Sequence, residues 1–195
     1  MVYKNNFQMT QTEHNVLTSS EQFILLKGDR RCGKTESGVL WTIYNAVNFN
    51  CTTWIIAPDR KRLFFISNRI KEYCISSKQD VLAKINKQYY FEMTFNPFGS
   101  KVYFITPYDL FDVFPQGRKP ADFIFIDDPE IYSPKEQRKF HKELKFKVLS
   151  HVGNPKVLIT YTPVRLKDRL AALWTVTKNK SNWKRIEGSF YEAVL

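Results

Sequence analysis

The chain has 195 residues, 43% of them hydrophobic and 25% charged, which suits one compact domain with its own core. Lys and Arg number 30 against 19 Asp and Glu, a formal net charge of +11. Such a composition excludes disordered and collagen-like chains and fits a polyanionic partner, because basic groups facing phosphates release condensed counterions.

Apolar runs such as Phe23 to Leu26 and Trp54 to Ala57 fall far short of the roughly 18 to 20 residues of a membrane helix. The polar start MVYKNNFQMTQTEHN has neither the apolar core nor the cleavage site of a signal peptide. No membrane contact and a cytoplasmic location are therefore expected. Cys32, Cys51 and Cys74 form no C-x-x-C pair and read as reduced thiols, not as a disulfide framework or a zinc site.

In chain order, Phe23 to Lys27 (FILLK) reads as a buried strand, and Gly33 to Asn48 as a helix with Val39, Leu40, Ile43 and Val47 at helical spacing. Thr53 to Ala57 predicts a second strand. Arg60 to Tyr73 predicts a helix that gathers Leu63, Phe64, Ile66, Ile70 and Tyr73 and leaves a basic opposite face. Tyr89 to Phe95 and Lys101 to Thr106, joined by Asn96-Pro97-Phe98-Gly99, predict a hairpin or two neighbouring strands whose aromatics, Tyr89, Tyr90, Phe91, Tyr103 and Phe104, read as core, with base stacking as the alternative use of the same residue types. Phe123 to Ile126 and Val157 to Tyr161 predict further buried strands, with helices over Lys135 to Leu149 and Leu166 to Val176. This alternation implies an α/β fold, a mostly parallel sheet with helices on both faces.

Gly28-Asp29-Arg30-Arg31-Cys32-Gly33-Lys34-Thr35 matches G-x-x-x-x-G-K-[ST], directly after a predicted strand and at the opening of a predicted helix. In such a phosphate loop the backbone N–H groups of Gly28 to Gly33 cradle phosphates, Lys34 reaches the β and γ phosphates of ATP, and Thr35 ligates Mg²⁺. The strand Phe123 to Ile126 runs into Asp127-Asp128-Pro129-Glu130, a Walker B pattern at the edge where α/β sheets bind ligands. Asp127 is the expected Mg²⁺ holder, and Asp128 or Glu130 the group that orients or activates the attacking water. The strand between the two motifs points to a P-loop core of the additional-strand, RecA-like type. Thr160 and Thr162, at the end of VLITY and before Pro163, are candidates for sensing the γ-phosphate and coupling hydrolysis to movement. His14, His141 and His151 have no ligand spacing.

Taken together, FILLKGDRRCGKT, WIIAPDRKR, FNPFGSKVYFIT, QGRKPADFIFIDDPE and KVLITYTP resemble the ATPase domain of viral large terminases, the DNA-packaging motors, over nearly the whole chain. The resemblance implies that an arginine of the phosphate loop, best matched by Arg30 with Arg31 second, contacts the γ-phosphate. It implies an adenine-reading glutamine, for which Gln11 and Gln8 are candidates ahead of Gln22, and a Thr/Ser coupling motif matched by Thr160 and Thr162. The family's Walker B usually ends Asp-Glu, and Asp127-Asp128 followed by Glu130 departs from it, which leaves Asp128 and Glu130 both open. An arginine supplied to a neighbouring subunit is also implied, with Arg60, Arg118 and Arg165 as candidates. The implied partners are double-stranded DNA, a portal protein and a small terminase subunit. The implied assembly is a homo-oligomeric ring when on the portal, with a monomer as the alternative in isolation, in the infected host cell's cytoplasm.

Residues 1–195 are thus expected to form one ATPase domain, with an adenine-side segment over 1–20 and the start of a lid or linker over 165–195. The acids after Pro163, Asp168, Glu187 and Glu192, are isolated, so no nuclease domain is expected. Basic candidates for DNA contact are Arg60, Lys61, Arg62, Arg69, Lys71, Arg118, Lys119 and Lys139 to Lys147. A helicase-like ATPase, a P-loop phosphotransferase and a nucleotide-binding assembly protein that hardly hydrolyses remain rival readings.

Overall fold

The computed structural model describes residues 9–78, 81–86, 90–96, 98–107, 109, 121–129, 155–163 and 180–188. These form three helices, α1 (Gln11–Thr18), α2 (Lys34–Asn48) and α3 (Arg60–Ser76), and eight strands. The strands are β1 (Phe23–Gly28), β2 (Thr52–Ile56), β3 (Val81–Asn86), β4 (Tyr90–Phe95), β5 (Ser100–Ile105), β6 (Phe123–Asp127), β7 (Lys156–Tyr161) and β8 (Trp183–Gly188). They build one sheet in the order β3-β4-β5-β2-β6-β7-β1-β8. From β5 to β8 all neighbours run parallel, while β3–β4 and β4–β5 are antiparallel.

The apolar runs alternate between two buried faces because successive strand side chains point to opposite sides. Ile24, Leu26, Ile55, Val102, Phe104, Phe125, Leu158 and Ile186 meet Val16 of α1, Val39 and Trp41 of α2, and Leu63, Ile66 and Ile70 of α3. Leu25, Trp54, Ile56, Ile124, Ile126, Ile159 and Tyr161 form a second buried cluster on the other face. This is the mostly parallel α/β sheet that the sequence implies. The helices expected over Lys135 to Leu149 and Leu166 to Val176 lie outside the described residues. No helix among the described residues is long and apolar enough to cross a membrane.

Three elements go beyond the sequence expectations. The segment before β1 contains α1, started by a capping box: Glu13 N donates to Thr10 Oγ1 at 3.2 Å and Thr10 N to Glu13 Oε2 at 2.8 Å. The expected hairpin exists as β4 and β5, and β3 extends it to a three-stranded antiparallel edge. Beyond β1, β8 adds a parallel edge strand in which Lys27 and Glu187 face each other in register and pair at 2.6 Å. One expectation is corrected: Phe64 does not belong to the apolar stripe of α3 but is 60% exposed, while Leu63, Ile66, Ile70 and Cys74 face the core.

Helix α2 approaches the sheet closely at Gly38, where a Cβ would stand 2.0 Å from Phe125 Cζ. Only a residue without a side chain lets the helix lie this flat on β6, directly behind the site.

Candidate functional site

Strand order brings the motifs together. β7 lies between β1, which runs into the phosphate loop, and β6, which ends in Asp127. β2, on the other side of β6, leads into α3. All four strands are parallel, so the segments following β1, β2, β6 and β7 emerge at one edge of the sheet, the ligand edge of such folds.

The phosphate loop turns through left-handed backbone at Arg31 (φ 68) and Gly33 (φ 79), and Gly33 is the N-cap of α2 with no side-chain cap. The first N–H groups of α2 therefore face the loop without a capping oxygen, the arrangement that receives anions at a helix start. Gly28 is required for space: a Cβ there would meet Cys32 Sγ at 2.4 Å and the Gly188 carbonyl oxygen at 3.0 Å. Asp29, Arg30 and Arg31 are exposed on the outer side of the loop, and Cys32 is half-buried with its thiol pKa pushed up by burial. Lys34, buried, folds back over the loop and donates to the Gly28 carbonyl at 2.9 Å and the Asp29 carbonyl at 2.7 Å.

Asp127 is wholly buried at the end of β6. Its Oδ1 accepts from Thr35 Oγ1 at 3.0 Å and from Thr160 Oγ1 at 2.9 Å. Thr160 is opposite Asp127 in the β6–β7 register, and its carbonyl accepts from Asp128 N at 3.1 Å. The Walker A threonine, the first Walker B acid and the candidate coupling threonine are thus joined through one carboxylate oxygen. Burial and the neighbouring Asp128 charge push the Asp127 pKa up, against the opposing pull of Arg62. Asp128 sits in left-handed backbone at φ 45, and its Oδ1 is buried with no hydrogen-bond partner among the described residues.

Arg62, one of the basic candidates for DNA contact, turns into the site. Its Nε donates to Asp127 Oδ2 at 2.6 Å, and its Nη2 donates to Thr35 Oγ1 at 2.6 Å and to Asp128 Oδ2 at 3.0 Å. Although burial opposes the charge, Asp127, Asp128 and Asp59 keep the guanidinium more firmly protonated than usual. The available signal was local: Asp59 follows β2 and caps α3, accepting from Arg62 N at 2.7 Å, so residue 62 lies in the first turn at the ligand edge. Arg69 is likewise not a free basic group. It pairs with Glu36 of α2 (Nη2–Oε1, 2.5 Å) and with Glu72, while the Tyr73 hydroxyl also donates to Glu36. That cluster ties α3 to α2 one residue beyond Thr35.

Of the other candidates, Gln11 lies in the first turn of α1, its Nε2 donating to Asn15 Oδ1 at 2.9 Å. The next residue, Thr12, is buried beside Gly188, which itself adjoins Cys32 of the phosphate loop. Gln22 is half-buried just before β1, Thr162 is half-buried just after β7, and Arg60 and Lys61 are exposed on α3. Gln8, Glu130, Arg118, Lys119, Lys139 to Lys147 and Arg165 lie outside the described residues.

Thr35 and the Asp127 carboxylate form a hard-oxygen pair beside a phosphate loop, and Asp128 Oδ1 adds a buried oxygen with no partner among the described residues. This donor set fits Mg²⁺, which takes one or two carboxylates together with substrate phosphates and waters in place of a closed protein cage. Among the described residues no group of three or more His, Cys, Asp or Glu is placed to hold a metal.

No family model and no curated relative matches the sequence. Solved structures do. The large terminase of a thermophilic bacteriophage superposes with a TM-score of 0.69 at 16% identity, over 93% of this chain and 46% of that one. The ATPase domain of the Thermus phage P74-26 large terminase gives 0.65 at 13% identity, over 94% and 81%. The chain has the fold of a terminase ATPase domain. It spans about half the length of the first of these terminases, other structures of which contain ADP or ATP-gamma-S. A hypothetical ATP-dependent RNA helicase from Sulfolobus tokodaii shares the terminase-like core at TM-score 0.61 and 14% identity, over 96% of this chain and 54% of that one. The RecA-like P-loop fold is therefore common ground between these large terminases and this helicase.

Proposed function

We propose that this chain is a Mg²⁺-dependent ATPase of the terminase large-subunit type, powering translocation of double-stranded viral DNA into a procapsid. The observation that carries the reading is the junction at Asp127, where Thr35 of the phosphate loop and Thr160 of β7 share one buried carboxylate oxygen. Such a junction links the group beside the phosphates to a strand end that leads out of the site.

In this reading Lys34 leaves the Gly28 and Asp29 carbonyls and turns to the β and γ phosphates, while the N–H groups at the start of α2 hold phosphate oxygens. Thr35 and Asp127 would hold Mg²⁺, which when bound supplies neutralisation of charge on the transferring phosphoryl group. Exposed Arg30 supplies a further positive group at the γ-phosphate, with Arg31 as the alternative. Asp128 Oδ1, buried and with no partner among the described residues, is suited to accept a proton or hydrogen bond from the attacking water. Glu130 is the competing assignment for that role. Single-turnover hydrolysis by Asp128→Asn and Glu130→Gln identifies the carboxylate, and equal, undiminished activity in both refutes the role altogether. Thr160 reports the state of Asp127 to β7, with Thr162 two residues further on. Gln11 is proposed to read adenine from the start of α1.

The proposed partners are double-stranded DNA, a portal protein and a small terminase subunit. The proposed assembly is a homo-oligomeric ring on the portal in the cytoplasm of the infected cell, with an arginine such as Arg60, Arg118 or Arg165 completing a neighbour's site. The test is ATP hydrolysis with and without double-stranded DNA. Stimulation by duplex without strand separation is expected, and ATP-driven strand separation would instead favour the helicase reading that the Sulfolobus structure supports.

A further inference from the structure

We propose that Arg62 is a built-in counter-cation of the metal site, which blocks divalent metal until a nucleotide arrives with it. The guanidinium is bound to the oxygens that a metal beside the phosphate loop would use. It reaches Asp127 Oδ2 and Thr35 Oγ1, each at 2.6 Å, and Asp128 Oδ2 at 3.0 Å. The other Asp127 oxygen is already shared by Thr35 and Thr160. The guanidinium cancels one of the two carboxylate charges and occupies their oxygens, so a metal entering alone meets both a filled set of oxygens and a like charge already seated among them. A metal entering with ATP or ADP brings phosphate charge that compensates for it and offers the displaced guanidinium an anion.

Arg62 can leave without disturbing the core. Its side chain is 32% exposed, and its only aromatic cover among the described residues is Phe65, 5.6 Å from the guanidinium carbon and itself 48% exposed. Helix α3 meanwhile stays tied to α2 through Arg69 and Glu36. The device thus consists of one side chain, and its consequence is ordered loading: metal and nucleotide bind together, and free metal is refused.

This inference rests on the nucleotide-site reading and deepens it. The test is Mn²⁺ affinity, followed by the paramagnetic resonance of free Mn²⁺, for the whole chain and for Arg62→Met, each with and without ADP. The variant is expected to bind Mn²⁺ without nucleotide at least about tenfold more tightly than the parent, and the gain is expected to shrink when ADP is present. Equal or weaker Mn²⁺ binding by the variant, with Mn²⁺–ADP binding intact in both, overturns the role of Arg62 alone. No Mn²⁺–ADP binding by either protein overturns the nucleotide site and this inference with it. A measurement on the unaltered chain guards against misfolding of the variant. The Arg62 Nε–H NMR signal, assigned through Arg62→Lys, is expected to be protected from exchange in the free protein and to lose that protection on addition of Mg²⁺–ADP. A signal that binding leaves unchanged overturns the proposal.

Discussion

The two edges of the sheet are built from different materials. At the edge where the strands begin, hydrogen bonds to backbone groups and aromatic contacts lace neighbouring segments together. Ser100 Oγ donates to the Phe49 carbonyl at 2.5 Å, Asp122 and Thr52 exchange hydrogen bonds of 2.8 Å, and Phe123 stacks with Phe49 while Trp41 meets its edge. At the edge where the strands end, a wholly buried aspartate, a second acid in left-handed backbone, a folded-back lysine and an inserted arginine are crowded together. Buried charge is costly even when paired, so the second edge is not what stability alone would select. The difference teaches that substitutions at the starting edge should be read in melting temperature, and those at the ending edge in nucleotide and metal chemistry.

The sharpest way to break this contrast is Trp41→Ala, which removes a buried indole from the aromatic group around Phe123. A loss of about 3 to 5 kcal/mol in unfolding free energy is expected, measured by chemical denaturation; a loss below about 1 kcal/mol would mean that the aromatic edge is not a stabilising region. Next is Asp127→Asn. Turnover is expected to fall at least about 100-fold from the loss of the metal-holding charge, while melting temperature stays within a few degrees. A variant that melts much earlier yet hydrolyses normally would reverse the assignment of the two edges.

Gly38→Ala probes the layer between them. A Cβ at 2.0 Å from the Phe125 ring forces the helix or the ring to shift, with an expected cost of about 1 to 3 kcal/mol and some loss of nucleotide affinity, because α2 carries Lys34 and Thr35. Unchanged stability would show that the contact yields freely. The smallest effect is expected from Thr10→Ala, which removes the N-cap of α1 at about 1 kcal/mol. If Gln11 reads adenine, this variant also binds ATP more weakly relative to inorganic triphosphate, and an unchanged preference would argue against that role.

What was legible in the sequence was local. The phosphate loop is readable because strand, glycine loop and helix are contiguous, and FIFIDD because a buried parallel strand is apolar on both faces before its acids. WKRIEG of β8 escaped reading because, at the sheet's edge, only Ile186 and Gly188 are buried, so its pattern resembles a charged loop. The capping box Thr10-x-x-Glu13 was present as a signal for α1 but preceded a weakly apolar stretch. Arg62 was unreadable in its role because its partners are 27, 65 and 66 residues away, and only the adjacency of β2 and β6 makes them neighbours. Within the basic set of α3, sequence distinguishes neither Arg62 nor Arg69 from exposed Arg60 and Lys61.

The most direct test of the central claim, that this edge binds and hydrolyses Mg²⁺–ATP, is the steady-state rate of phosphate release by the purified chain with Mg²⁺, set against Lys34→Ala. Measurable release that rises with double-stranded DNA and drops to background in the variant is expected. Release that persists unchanged in Lys34→Ala would contradict it.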